Sequence, residues 1–179
     1  GMHQLTASGS GIGTFNDRLR DSARGGNYDH ATRSDQGLIN GLALDLNDSP
    51  TNTDTPATEQ EQKQQLRNYT DNVRLGMAGN LLDFVFVHSD DKRRRGADLK
   101  YRGNPGSGYA LDPQENVNYV SAHDNYTLWD QIAAKAPFHT QYRKPYTATI
   151  QERVSMQELG LAIVLLGQGV PFVHAGSEI

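Results

Sequence analysis

The sequence predicts an α/β fold, in which parallel strands alternate with helices along the chain. Residues 117–122 favour a strand, a helical segment follows them, and residues 170–173 form a second short apolar strand. Two strands that are joined through helices pair in parallel with a right-handed connection. Ligands bind such folds at the carboxyl ends of the strands, so we expect functional residues where the first strand ends.

Caps and apolar spacing predict the helices. Phe15 and Leu19 are spaced to share one face of a helix that ends at a Gly-Gly pair. Thr58 and Thr149 are each followed three residues later by a glutamate, which is the pattern of a capping box at a helix start. The helix that begins after Thr149 is apolar on all sides from 159 to 166, and this predicts that it is buried.

The remaining segments are predicted to be loops and surface structure. Residues 27–58 are rich in Asp, Asn, Thr and Gly, which indicates a long excursion with little regular structure. Residues 84–87 favour a short strand. The basic run 92–95 is interpreted as a charged turn that leads into a surface insertion around residues 104–108, where Gly and Pro are frequent.

Composition bounds the size of the unit and the kind of partner. The chain has 179 residues, so residues 1–179 are expected to form one unit. Apolar residues make up 36% and the mean hydropathy is −0.67, which is lean for a self-sufficient domain and suggests a missing partner or missing chain. With 17 basic and 21 acidic residues the net charge is −4, which disfavours nucleic acid and an anionic membrane as partners. A neutral substrate fits this charge better.

Residue types and spacings exclude several classes of site. The chain has no cysteine, which rules out disulfides, thiolate nucleophiles and zinc-thiolate sites. Its longest apolar stretch, 159–166, is far shorter than the roughly 20 residues that span a bilayer. Gly9, Gly11 and Gly13 lack the rest of a nucleotide-binding fingerprint, and no two histidines have the spacing of a zincin helix. We therefore expect no metal and no cofactor.

The candidate site is His123, Asp124 and Asn125, at the end of the first predicted strand. A carboxylate there can bind sugar hydroxyls or stabilise developing positive charge, and an adjacent imidazole can donate a hydrogen bond. Asp and Asn are also common helix caps. Spacing alone favours a cap for the following helix, formed by Asp124 or Asn125, and leaves catalysis as the alternative.

Four segments, in order along the chain, carry a family resemblance. Residues 117–125, followed by 127–130, resemble the seventh-strand motif of the type I pullulanases in the α-amylase superfamily. Residues 11–21, with the Arg-Gly-Gly that follows, resemble the sixth-strand region of the same debranching enzymes. Residues 74–81 also match, and 167–178 resemble the eighth strand. The resemblance thus spans nearly the whole chain.

This resemblance implies a partial (β/α)₈ TIM barrel, roughly strands six to eight, with long loops. The activity implied is hydrolysis of α-1,6 linkages in pullulan, amylopectin or related dextrins. Retaining glycosidases need a nucleophilic carboxylate and an acid/base carboxyl about 5 Å apart. In this family both lie on the fourth and fifth strands, and so would precede Gly1.

The resemblance also implies roles for individual residues. Asp124 matches the family's third acidic residue, which holds sugar hydroxyls beside the reacting carbon and helps distort the ring. His123 would bind the same sugar, and Asn125 would be a subsite or scaffold residue. Glu178 is taken as structural, and no metal ligand is carried over.

The isolated chain is expected to be inactive, and either to oligomerise or to be marginally stable, because the rest of its own catalytic domain would be its partner. The alternatives are an isoamylase or glycogen-debranching fragment and a non-catalytic carbohydrate-binding fragment. Residues 126–130 favour pullulanase. Gly1 before Met2 is typical of the remnant of a cleaved expression tag. The size of the substrates favours an extracellular or cell-surface location and leaves a cytoplasmic one open.

Overall fold

The computed structural model describes residues 3–26, 35–48, 58–140 and 144–178. Short 3₁₀ turns at Leu38–Asn40, Gly96–Asp98 and Pro113–Glu115 connect the main elements. The α-helices in these ranges are α1 (Gln4–Ala7), α2 (Asp17–Arg24), α3 (Glu59–Met77), α4 (Leu128–Lys135) and α5 (Ile150–Leu166). The strands are β1 (Thr14–Phe15), β2 (Val85–Val87), β3 (Arg93–Arg95), β4 (Lys100–Tyr101), β5 (Asn104–Pro105), β6 (Asn116–Asn118), β7 (Phe138–His139), β8 (Tyr146–Thr147) and β9 (Val170–Pro171).

A parallel sheet with the strand order β1–β6–β9 organises the described chain. Thr14 lies opposite Asn116, and Val117 lies opposite Val170, so β6 is paired on both sides. Helices α4 and α5 lie between β6 and β9 in the sequence, and α2 directly follows β1. The predicted α/β fold is therefore confirmed. The other strands form three antiparallel pairs, β2–β3, β4–β5 and β7–β8.

Helices α2 to α5 contribute the main core. Leu19, Val73, Leu128 and Ile163, one from each helix, belong to a single buried cluster. Val120, which follows β6, joins the same cluster. Burial of such side chains contributes about 1.5–3 kcal/mol each, so the chain after β6 is tied to the helices by the core itself.

Helix α2 begins later than its apolar spacing predicts. Phe15 lies in β1 and does not share a helix face with Leu19, so that prediction is wrong. Asn16 caps α2, because its side-chain Oδ1 accepts a hydrogen bond from the Leu19 amide at 3.1 Å. The predicted end of this helix is confirmed, since α2 ends at Arg24 and Gly25 is its C-cap.

The basic run is a strand where a turn was predicted. Arg93–Arg95 pair antiparallel with Val85–Val87 as β3. The backbone groups of β2 give the run a partner for its amides and carbonyls, while Arg94 forms a surface ion pair with Asp90 at 2.6 Å. The strand predicted at 84–87 is confirmed as β2.

Both predicted capping boxes are present, at Thr58 and at Thr149. The prediction that α5 is buried all round is wrong, because Leu165 and Leu166 are 57% and 74% exposed. Only one side of α5 meets the other described helices. Much of the predicted excursion 27–58 lies outside the described residues, and its described part, 35–48, holds one 3₁₀ turn.

A tight backbone crossing follows α2. Gly25 has a φ of +92°, and a Cβ at this position would lie 1.9 Å from the carbonyl oxygen of Asp35. A Cβ at Gly37 would lie 2.2 Å from the Gly25 amide nitrogen. Only glycine allows the two segments to approach so closely.

The amine of Lys135 is buried at the end of α4. Lys135 is 0% exposed, and its Nζ has no hydrogen-bond partner among the residues that the structure describes. Burial lowers the pKa of Lys135 to about 7, although Asp35 nearby acts in the opposite direction. A neutral amine is therefore favoured by the folded state.

We predict that Gly25→Ala destabilises the protein by more than about 1 kcal/mol, because the new methyl group meets both a left-handed backbone and the Asp35 carbonyl. Urea unfolding measures the change. Gly103→Ala is the matched control, since its φ of +80° is also left-handed but its Cβ would have open space. Equal losses in the two variants would show that the crossing adds nothing.

We predict that stability depends on pH through Lys135. The folded amine has a pKa of about 7, below the ordinary 10.5, so its favourable contribution is fully present above about pH 10.5 and is lost as pH falls through 7. The unfolding free energy should rise between about pH 7 and pH 10, and this rise should be smaller in Lys135→Met. Urea unfolding across that range tests it, and parallel curves for the two proteins would contradict it.

Candidate active site

The three predicted site residues lie together in a bend beyond the carboxyl end of β6. His123, Asp124 and Asn125 are all exposed to solvent. The Asn125 Nδ2 donates a hydrogen bond to Asp124 Oδ2 at 3.3 Å. The structure thus brings the three side chains to one exposed position at the end of the central strand, where parallel α/β folds bind ligands.

The bend is made by a left-handed residue. Asn125 has a φ of +62°. Asparagine adopts this conformation more readily than most residues with a side chain, and such positions are concentrated at functional sites. The turn redirects the chain from the end of β6 into α4, so the carboxylate of Asp124 remains outside the helix.

The helix cap is a different residue from the predicted one. Thr127 caps α4, with its Oγ1 accepting from the Asp130 amide at 3.2 Å. Asp130 completes the box by accepting from the Thr127 amide, also at 3.2 Å. The interpretation of Asp124 or Asn125 as the cap is therefore wrong, and Asp124 is free of that structural task.

Side chains hold both ends of the loop 120–126. The Ser121 Oγ accepts a hydrogen bond from the Leu128 amide at 3.1 Å and lies 3.5 Å from His174 Nδ1. The Arg24 Nη1 donates to the carbonyl oxygens of Val120 at 2.9 Å and Tyr126 at 3.3 Å. The loop is consequently anchored to α2, to α4 and to the chain that follows β9.

Burial sets the electrostatic state of Arg24. It lowers the pKa of Arg24 to about 10, and the neighbouring Arg20 lowers it further, while Asp21, Tyr119 and Asp124 act in the opposite direction. Arg24 therefore remains charged at neutral pH. Its positive charge lies close enough to the Asp124 carboxylate for the two to interact.

Three aromatic rings meet where the parallel strands end. Phe15 is the last residue of β1, Tyr119 follows β6 and Phe172 follows β9. The ring of Phe15 packs edge-on against Tyr119 at 4.8 Å and against Phe172 at 5.3 Å between centroids. Phe15 is 46% exposed, so this cluster offers an apolar ring surface beside the polar loop.

The buried carboxylate of Asp21 is linked to this aromatic cluster through Arg20. Asp21 accepts hydrogen bonds from Arg20 at 2.7 Å, from Arg102 at 3.0 Å and from the Tyr101 hydroxyl. Arg20 in turn donates to the Tyr119 hydroxyl. Burial, followed by the charge of Asp21, raises the pKa of Tyr101. Tyr119 is thereby fixed by a charge network that reaches the β4–β5 hairpin.

A cavity of about 480 Å³ lies beside the start of α4. It runs between α4, α5 and the chain after β9, and the exposed indole of Trp129 forms part of its wall. Glu178, which was predicted to be structural, also lines it. None of the three predicted site residues is part of this wall.

Sequence reasoning missed several residues of the site. The sequence motifs include Arg24 but predict no role for it, and no pattern links Phe15 or Phe172 to function. No local spacing reveals these contacts, because each joins residues more than 50 positions apart. In the structure, Phe15 ends β1 and Phe172 directly follows β9, so strand ends that only the tertiary structure defines bring them to the site.

The described ranges show neither a metal cluster nor a membrane helix. No group of three or more His, Asp or Glu side chains in them could hold a metal ion. No helix in those ranges has both the length and the apolar character needed to cross a bilayer.

The chain is similar to pullulanases over nearly its whole length. No protein-family model matches it. Pullulanase from Klebsiella pneumoniae is 45% identical over 179 residues, which cover 98% of this chain and 15% of that protein. Pullulanase 1, chloroplastic, from Arabidopsis thaliana is 36% identical over 177 residues, which cover 98% of this chain and 17% of that protein. The chain therefore spans less than a fifth of the length of these relatives.

Solved structures give the same result. The maltotriose complex of PulA from Klebsiella pneumoniae superposes with a TM-score of 0.82 at 43% identity, covering 98% of this chain and 17% of that one. A mutant pullulanase from Paenibacillus barengoltzii in complex with maltotetraose superposes with a TM-score of 0.58 at 28% identity, covering 98% of this chain and 19% of that one.

We predict that Thr127→Ala destabilises the protein by about 1 kcal/mol, because the Asp130 amide loses its cap. Asp124→Ala should change stability by less than about 0.5 kcal/mol, since Asp124 is exposed and does not cap the helix. Urea unfolding of both variants compares the two positions. A loss at Asp124 as large as that at Thr127 would restore the capping interpretation.

Proposed function

This chain belongs to the pullulanase family, and on that premise we propose that it forms part of the active site of a hydrolase that cleaves α-1,6 branch linkages in α-glucans. The observation that carries the proposal is the 45% identity to a pullulanase over 98% of the chain. The exposed His123-Asp124-Asn125 bend supplies the chemistry. The activity belongs to a longer protein, of which this chain would be one segment.

We propose that β1, β6 and β9 are the sixth, seventh and eighth strands of a (β/α)₈ barrel. Their order in the sheet is their order in the sequence, and all are parallel. Helices separate them along the chain, as a barrel requires. Residues 1–179 would then be the C-terminal portion of the catalytic domain.

Asp124 is proposed as a catalytic carboxylate that binds sugar hydroxyls next to the reacting carbon. Its position at the carboxyl end of the central strand and its exposure support this role. A fixed carboxylate can stabilise the positive charge of an oxocarbenium-like transition state. His123 is proposed to donate a hydrogen bond to the same sugar. Asn125, which shapes the bend and bonds Asp124, is proposed as a scaffold or subsite residue.

The nucleophile and the general acid are proposed to lie in regions of the full-length enzyme that correspond to parts of the relatives outside the match. A retaining mechanism places those two carboxyl groups about 5 Å apart, flanking the scissile bond of the sugar that Asp124 holds. The rest of the catalytic domain would also cover the apolar surface of α5, including Leu165 and Leu166. We accordingly propose that domain as the chain's partner.

The proposed substrate is an α-glucan polysaccharide or oligosaccharide. Support comes from the relatives solved with maltotriose and maltotetraose. The exposed ring of Phe15 beside the loop suits the apolar face of a sugar. An extracellular or cell-surface location is proposed because branched α-glucans are large polymers.

We predict that Asp124→Asn, made in a full-length pullulanase that contains this sequence, lowers kcat/KM on pullulan by several orders of magnitude. The amide keeps the shape but loses the charge that stabilises the transition state. Reducing-sugar release measures the rate, and the isolated 179-residue chain should release none.

The matched control is Asp130→Asn, which removes a second exposed carboxylate close to the site but only weakens a helix cap. It should retain activity within about tenfold. Full activity of Asp124→Asn, or an equal loss in both variants, would remove Asp124 from the mechanism.

A further inference from the structure

We propose that Arg24 is a positioning residue for the catalytic loop, which it holds by bridging two backbone carbonyls on either side of Asp124. The proposal rests on the role assigned to Asp124 above. Arg24 touches neither substrate nor reacting atoms in this role, because it lies buried on α2 behind the loop, with 3% exposure.

The bridge is made by a single nitrogen. The Arg24 Nη1 donates to Val120, four residues before Asp124, and to Tyr126, two residues after it. The two carbonyls are thereby kept at a fixed separation, and the bend between them must span that separation. The Ser121 Oγ anchors the same segment to the first turn of α4.

Arg24 is itself held firmly, which a positioning residue requires. The Asn40 Nδ2 donates to the Arg24 carbonyl at 2.8 Å, and the Gly25 amide donates to the backbone carbonyl oxygen of Asp21 at 2.9 Å. The glycine crossing described above packs Asp35 and Gly37 against the same backbone. The backbone that carries Arg24 therefore has little freedom to move with the loop.

The Arg24 side chain directs its hydrogen bonds to carbonyl groups of this loop. In the ranges that the structure describes, no carboxylate forms a salt bridge with Arg24. Arg20 on the same helix, in contrast, pairs with Asp21 at 2.7 Å. A buried guanidinium is costly unless it makes strong hydrogen bonds, and charge-assisted bonds to carbonyls are of that kind. Its burial against this loop is consistent with a role in the loop's geometry.

The first test measures the loop in the 179-residue chain itself. Arg24→Met should lower the backbone order parameters of residues 121–126 from about 0.85 toward 0.6 or below. Arg18→Met is the control, since Arg18 is also buried on α2 but lies over the rings of Tyr101 and Tyr109. It should leave the loop unchanged. Arg24→Lys, which keeps a charge, serves if the methionine variant does not fold.

The second test is a double-mutant cycle in the full-length enzyme. Arg24→Met should lower kcat by about 10- to 100-fold with a small change in KM, because two charge-assisted hydrogen bonds are lost. Arg24→Lys should recover part of the rate. In the Asp124→Asn background the same change should cost less than about threefold, because the residue that Arg24 positions has already lost its charge.

Unchanged order parameters in Arg24→Met, or additive losses in the cycle, would overturn the positioning role while leaving the proposed function intact. Full activity of Asp124→Asn alone would overturn the proposed function, and with it the catalytic meaning of the bridge. A mobile loop together with a non-additive cycle supports both.

Discussion

The parallel sheet and the site at its carboxyl end depend on the central strand β6 and on two buried asparagines within it. Asn116 and Asn118 are both 0% exposed, and a buried amide without partners costs about 1–3 kcal/mol. The Asn118 Nδ2 donates to the Gln168 carbonyl at 2.8 Å, just before β9, and the Asn116 Nδ2 donates to Asn118 Oδ1, also at 2.8 Å. These bonds hold the residues just before β9 against β6 and so fix how the two strands pair. That pairing sets the relative positions of the strand ends.

The strand ends in turn determine the site. Because β1, β6 and β9 are parallel and paired side by side, Phe15, Tyr119 and Phe172 meet at the carboxyl end of the sheet. The loop with Asp124 follows β6 at the same end of the sheet and connects Tyr119 of the aromatic cluster to the start of α4. Rigid anchors at both ends of a short loop give a more precise site than a free loop does. The bend with Asp124 is anchored in this way, as the role proposed for Asp124 requires.

The same parallel sheet leaves apolar surface that the described chain does not cover. Val170 in β9 and Leu166 at the end of α5 are both exposed, although their residue types are usually buried. The chain spans less than a fifth of its relatives' length, and in the proposed barrel the rest of the catalytic domain would cover these faces. The lean composition and the exposed helix face thus have a common physical origin in the proposed barrel.

Local patterns in the sequence were sufficient for the α/β class, for the capping boxes at Thr58 and Thr149, for the end of α2 at Gly25 and for the position of the His123-Asp124-Asn125 bend. These features depend on neighbours within about four residues, or on a motif read in order along the chain. The cap of α4 is just as local, because Thr127 and Asp130 have capping-box spacing, although the prediction placed the cap at Asp124 or Asn125. Tertiary structure alone decided that Arg93–Arg95 pair as a strand, that α5 is half exposed and that Arg24 bonds both ends of the loop. Each of these results depends on a partner that is distant in sequence or on the surface that remains uncovered, and neither is encoded in local spacing.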